Sequence, residues 1–229
     1  MFRSTAIVAC HGAAVLLLYA LPPAITPPPV ADPHQGFRSQ LRRHVVKELA
    51  AGKLLVAARN LPDPNFARTV LLLTEFSEDG AMGLIVNRPS EATLGRLLPR
   101  LEGSRTTTIF FGGPVSAQGV IALLRSATER GDSRHVVGDV YLVNNREVLE
   151  KTISAGADSN RLRVYAGYAG WGARQLDGET ERGSWHVVGG DGDVVFDPDP
   201  DTVWQRQMRR IESRSAHAGQ PEPSHATAW

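Results

Sequence analysis

The side chains best suited to chemistry fall in four short stretches. In Asp63–Thr69, Pro62 and Pro64 fix an extended loop. Asp63 and Arg68 are spaced to pair there, and Phe66 can pack back as a plug. The same residues also suit a loop that simply orders itself ahead of a strand. In the second stretch, Asn87-Arg88-Pro89, proline stops strand pairing and asparagine can bond neighbouring backbone. Arg88 can offer its fork to a carboxylate or phosphate, or pair with a structural acid. Third, Gly112-Gly113-Pro114 follows an apolar run. Turn amides of this kind can cradle an anion, although the spacing is neither GxGxxG nor a P-loop, which favours a tight structural turn.

The fourth stretch, Gly167–Asp177, is the densest. Glycines at 167, 170 and 172 permit close backbone approach. Tyr168 and Trp171 carry polar handles on large rings, fitting a pocket wall, an interface or a core. Gln175, Asp177 and Glu179 follow on a helix. Asp177 and Glu179 are two residues apart, so they do not share a helix face as an acid/base pair would. Conventional catalytic signals are thin. His44, His135 and His186 lack metal-ligand spacing, and there is no HExxH or GxSxG pattern. The single cysteine, Cys10, lies in the N-terminal apolar run, leaving the globular part without a thiol nucleophile. No metal or cofactor is expected.

The elements that must position these residues read as interleaved strands and helices. Strands are expected at Leu54–Ala58, Thr69–Thr74, Met82–Asn87, Thr107–Phe111, Val120–Leu124, Val140–Val143, Leu162–Ala166, Trp185–Val188 and Val194–Phe196. Helices are expected at Thr93–Leu101, Arg146–Ala155 (capped by Asn144 or Asn145), Ala173–Arg182 and Pro200–Ser213. The second and third strands form a hairpin around Ser77–Gly80. Leu162–Ala166 should run into a glycine-rich turn. A hairpin within an otherwise alternating chain predicts an α/β (or α+β) single domain: a mixed β-sheet covered by helices.

The chain has 229 residues, 42% of them apolar, and a net charge of +1. That suffices for a real core, and the charge balance argues against nucleic acid as a partner. Met1-Phe2-Arg3 precedes the apolar Thr5–Ile25, which reads as a signal peptide or membrane anchor. A start codon assigned too far upstream is the other reading. Pro27, Pro28, Pro29 and Pro33 mark a linker within residues 1–36, and Arg38–Ala50 has the spacing of an amphipathic helix. The domain is expected over 37–213, with 214–229 as a disordered tail. Poor cleavage chemistry and the arginines at 38, 42 and 43 predict a retained segment with the domain facing the cytoplasm. The alternative is export.

Three motifs, in order, resemble the YqgE/AlgH family from about Gly52 to Ile211. They are Gly52–Ala57 with Asp63–Val70 and Gly80–Pro89, then Gly112–Val115, then Gly167–Trp171 followed by Gln175-Leu176-Asp177 and Glu179. The resemblance implies a bacterial α/β domain, usually cytoplasmic, in a group with no established activity. Some members carry the label of transcriptional regulator. Arg174 stands where the family usually has glycine, Asp177 where it has glutamate, and Leu123 where many members have histidine, so no histidine-dependent chemistry carries over to that position.

These observations predict a non-enzymatic binding or regulatory module for a small-molecule or protein partner. Its surface would comprise Phe66, Arg68, Asn87, Arg88, Gly112, Gly113, Gly167, Tyr168, Trp171 and Gln175. A hydrolase drawing on Asp63, Asp177 and Glu179 is the enzymatic alternative. A DNA-binding regulator is the third reading and rests only on Arg206, Arg209, Arg210 and Arg214 of the last helix.

Overall fold

The computed structural model describes residues 49–218, apart from residues 97, 102, 129, 130 and 144. The expected apolar segment, linker and leading helix lie outside these, save Leu49 and Ala50, which carry no helix. Ten strands form the sheet: β1 Leu54–Ala57, β2 Val70–Ser77, β3 Gly80–Ile85, β4 Pro89–Thr93, β5 Thr108–Phe111, β6 Val115–Arg125, β7 Arg134–Val137, β8 Val140–Val143, β9 Leu162–Gly172 and β10 Trp185–Val188. Four α-helices accompany them: α1 Arg146–Ser154, α2 Gln175–Glu181, α3 Gly192–Val195 and α4 Pro200–Ala218.

The strand order is β10-β1-β2-β3-β9-β6-β8-β7, with β4 and β5 joined to β9 off this path. Only β5–β9 is parallel, so the sheet is mixed as expected. The fold is nevertheless mostly sheet, with sparse helical cover. The sheet curls until its outer strand β7 meets β1 and β2. Arg134 of β7 reaches Glu75 of β2 at 2.7 Å, and a Cβ on Gly52 would lie 2.7 Å from the Val136 carbonyl.

Two apolar clusters divide the strand faces. Along β9, Tyr165, Ala169 and Trp171 join the larger core, while Leu162 and Val164 join the smaller one under α1. That alternation is the period-two pattern of a strand buried on both sides. Trp204 docks α4 on β1 by donating its Nε1–H to the Ala57 carbonyl at 2.8 Å. Asn145 caps α1, its Oδ1 accepting from the amides of Glu147 and Val148.

Several expectations are corrected. Thr93–Leu101 is not a helix. Pro89–Thr93 is a strand, and Leu94–Arg96 makes a single 3-10 turn. Pro99 cannot continue a helix, and the Ser104 hydroxyl instead bonds the Leu98 and Leu101 carbonyls. Val194–Phe196 is not a strand but mostly the helical turn α3, capped by the Asp191 carboxylate. All three residues are buried, and a short continuous apolar run does not distinguish strand from helix. The glycine-rich stretch after Ala166 is not a turn either, since β9 runs on to Gly172. Helix α4 extends past Ser213, so Arg214–Ala218 is helical.

Candidate functional site

Strand β9 explains most of the motif glycines. Its residues 164–166 pair with β5 on one edge, whereas residues 169–172 pair with β3. Gly167, at φ +71°, sits where the neighbour changes. Gly112 and Gly113 end β5 at the same point. The Gly112 amide donates to the Ala166 carbonyl, and its own carbonyl accepts from the Ile85 amide, both at 2.9 Å. A Cβ on Gly112 would lie 2.2 Å from the Gly167 carbonyl oxygen, and one on Gly113 2.2 Å from the Tyr168 carbonyl carbon. The two glycine stretches are therefore adjacent, but backbone packs on backbone. The Gly112 amide is already bonded, and no cradle opens there.

The first two stretches also fit each other. Arg88 donates to three carbonyls of the preceding loop: Asn65 at 2.6 Å, Ala67 at 3.1 Å and Pro64 at 3.3 Å. Asn87 is buried. It accepts from the Val70 amide and donates to the Arg68 carbonyl. Asp63 accepts from the Asn65 amide. Burial holds the Arg88 guanidinium below its ordinary range, and the charge of Asp63 opposes that shift. Arg68 is exposed in a left-handed conformation, φ 58°, with its guanidinium 5.9 Å from the centre of the Trp204 ring.

Phe66 carries this loop onto the third motif. Its ring stacks on Trp171 at 6.3 Å and meets Trp185 edge-on at 5.7 Å. Trp171 and Trp185 are 6% and 3% exposed. Both indole N–H groups donate to Glu179 Oε2, at 3.0 and 2.9 Å. Gln175 donates to Glu179 Oε1 at 3.0 Å and accepts from the Gly172 amide. The two indole handles thus meet at the half-buried Glu179, with the exposed Gln175 at its outer oxygen. A buried Trp171 counts against a pocket wall at that residue. The sequence placed Trp185 on a strand and did not anticipate its part in this cluster.

Tyr168 differs from its neighbours. It points to the opposite face of β9 from Trp171. A Cβ on Gly170 would lie 3.2 Å from the Tyr168 ring, and Met82 pairs with Gly170. Tyr168 lines an open cleft of about 510 Å³ together with Phe76, Met82, Glu75 and Arg134. Its strand partner Val115 is an exposed large apolar side chain.

Arg163 was not singled out from the sequence. Only 3% exposed, it donates to the carbonyls of Val86 (3.1 Å) and Asp197, and lies 4.6 Å from the Phe110 ring centre. Burial lowers its pKa, while the charge of Asp197 opposes that shift. Burial also raises the Tyr165 hydroxyl, which has no hydrogen-bond partner. Among the described residues, no group of three or more His, Cys, Asp or Glu side chains is placed to hold a metal ion. Nor is any helix there long and apolar enough to cross a membrane.

A single curled sheet, its motif loops locked by Asn87, Arg88 and Glu179, defines a class of small α/β domain. The family described as AlgH-like matches residues 54–216, and the chain belongs to it. A UPF0301 protein of Xanthomonas campestris pv. campestris (strain B100) is 38% identical over 167 residues, covering 70% of this chain and 88% of the relative. A UPF0301 protein of Azoarcus sp. (strain BH72) is 36% identical over 163 residues, covering 69% and 86%. Among solved structures, the AlgH protein of Pseudomonas aeruginosa superposes with a TM-score of 0.60 at 30% identity, covering 76% of this chain and 95% of that one. A Corynebacterium diphtheriae protein gives 0.62 at 26% identity, covering 76% and 89%.

Proposed function

We propose that the protein is a binding module, without catalysis of its own, whose ligand or partner meets the Tyr168 cleft. One observation carries the reading. Gly112, Gly113, Asn87, Arg88, Trp171 and Gln175 are engaged in internal bonds or packing, whereas Tyr168 faces an open cleft. The cleft has the size of a small-molecule site. It combines apolar Phe76 and Met82 with a charged Arg134–Glu75 pair at its edge. The hydrolase alternative is weaker, because the Glu179 carboxylate already accepts from two indoles and an amide. The DNA-binding alternative loses Arg206, which is held by Asp197 at 2.5 Å.

Ligand-observed NMR screening of a metabolite collection against the full chain tests this. Binders should shift amide resonances at Met82, Val115 and Tyr168. Tyr168→Ala and Arg134→Ala should each weaken binding at least tenfold without unfolding the domain. Binders that map elsewhere, or that are indifferent to both substitutions, would refute the proposal.

A further inference from the structure

A second cavity, of about 450 Å³, lies between the Gly189–Gly192 loop and α4. Three polar residues of α4 line it: Gln207, Arg210 and Arg214. Their spacing of three and four residues sets them on one face of the helix. Arg59, Arg125, Arg134, Arg146 and Arg206 each hold a carboxylate at 2.5–2.9 Å. The guanidinium groups of Arg210 and Arg214 have no protein partner among the described residues. Gln207 adds an amide to that face. It is 7% exposed, its amide bonds no protein group among the described residues, and the residue borders the cavity. Its amide atoms are not among the buried polar atoms left without a partner, so solvent reaches them at the cavity wall.

We infer that this cavity binds a small organic phosphate. Two guanidinium forks and one amide supply enough donors for three oxygens. Two unpaired positive charges match a phosphoryl dianion, whereas one fork alone saturates a carboxylate. The volume exceeds that of inorganic phosphate, and Val188, Val194 and Ile211 give the remainder an apolar wall for the organic part. Asp191 borders the same cavity with opposing charge; one of its oxygens accepts from the Asp193 amide. An anion site tolerates that carboxylate at a cost in affinity, and a cation site would depend on it.

Isothermal titration of the full chain at fixed ionic strength, with phenyl phosphate, inorganic phosphate and acetate, tests the site. Saturable binding of phenyl phosphate is expected, at least threefold tighter than inorganic phosphate, with acetate weaker still. Arg210→Gln with Arg214→Gln should weaken phenyl phosphate binding at least tenfold. Asp191→Asn should tighten it, and Tyr168→Ala should leave it unchanged, which separates this site from the cleft proposed above. The arginines are exposed, so their replacement leaves the core intact. Absence of saturable binding, indifference to the double substitution, loss of binding in Asp191→Asn, or equal affinity for all three anions would each overturn the inference.

Discussion

Removing the Glu179 carboxylate should expose how far the motif cluster holds the domain together. In Glu179→Ala the indole N–H groups of Trp171 and Trp185 lose their common acceptor, Oε2. Both residues are nearly sealed from solvent. A buried donor left unsatisfied costs about 1–3 kcal/mol, so two cost about 2–6 kcal/mol before relaxation. That is a large share of a typical stability of about 5–15 kcal/mol. Glu179→Gln should be milder. An amide oxygen at the Oε2 position keeps both indole bonds, but its NH2 then faces Gln175 Nε2, another donor. Losing one bond and the charge assistance should cost about 1–2 kcal/mol. Urea unfolding followed by circular dichroism and tryptophan fluorescence measures both values. Glu179→Ala within about 0.5 kcal/mol of the parent, the range of inert surface changes, would show that the indoles do not depend on this acceptor. Equal losses in the two variants would refute the assignment of Oε2 as the shared acceptor.

Arg174 adopts φ 59° at the start of α2 and makes no side-chain cap bond. Left-handed backbone costs a non-glycine residue roughly 1–2 kcal/mol, partly offset by the greater entropy glycine loses on folding. Arg174→Gly should therefore stabilise the domain by up to about 1 kcal/mol, read as a higher urea midpoint; a lower midpoint would show that the arginine makes compensating contacts. His186 pairs with Val56 and is half-buried. Burial lowers its pKa from the ordinary 6.5, and the charge of Glu212 only partly opposes this. The unfolded chain then binds the proton more readily, so stability is intact above about 6.5 and declines as pH falls below it. His186→Gln should flatten the urea midpoint between pH 8 and 5.5, and an unchanged slope would place the titration elsewhere.

Much of the fold was legible because its signals were local. The Ser77–Gly80 hairpin turn, the Asn145 cap and the apolar run of β1 each depend on a few adjacent residues. The failures share a physical cause. Leucines at 94, 97, 98 and 101 suggested a helix, but Pro99 and the strand pairing of Pro89 and Thr93 with β5 override that periodicity. β4 and β7 were missed because Pro89–Thr93 and Arg134–Val137 lack a clear apolar alternation. Their pairing comes from strands distant in sequence, which no local window contains.

The site was legible in its residues but not in their roles. Phe66, Trp171 and Glu179 looked like the makings of a pocket, because aromatic rings and a nearby carboxylate recur where ligands bind. What the sequence withheld was the partner of each polar handle. Trp185, from a separate strand, turns the carboxylate into an internal acceptor, and Arg88 spends its fork on its own loop. The converse holds for α4. The sequence singled out Arg206, Arg209, Arg210 and Arg214 of this helix as a charge run, which is usually a solvated face, and gave no part to Gln207. The Gly189–Gly192 loop returns beside that face, so that the three residues Gln207, Arg210 and Arg214 line one cavity. Side-chain type alone does not show which donors stay free: Asn87, Arg88 and Trp171 bond other groups of the protein, whereas Arg210 and Arg214 hold no carboxylate among the described residues. Both proposals rest on that distinction: free guanidinium groups beside α4, and an aromatic ring left open to a cleft at Tyr168.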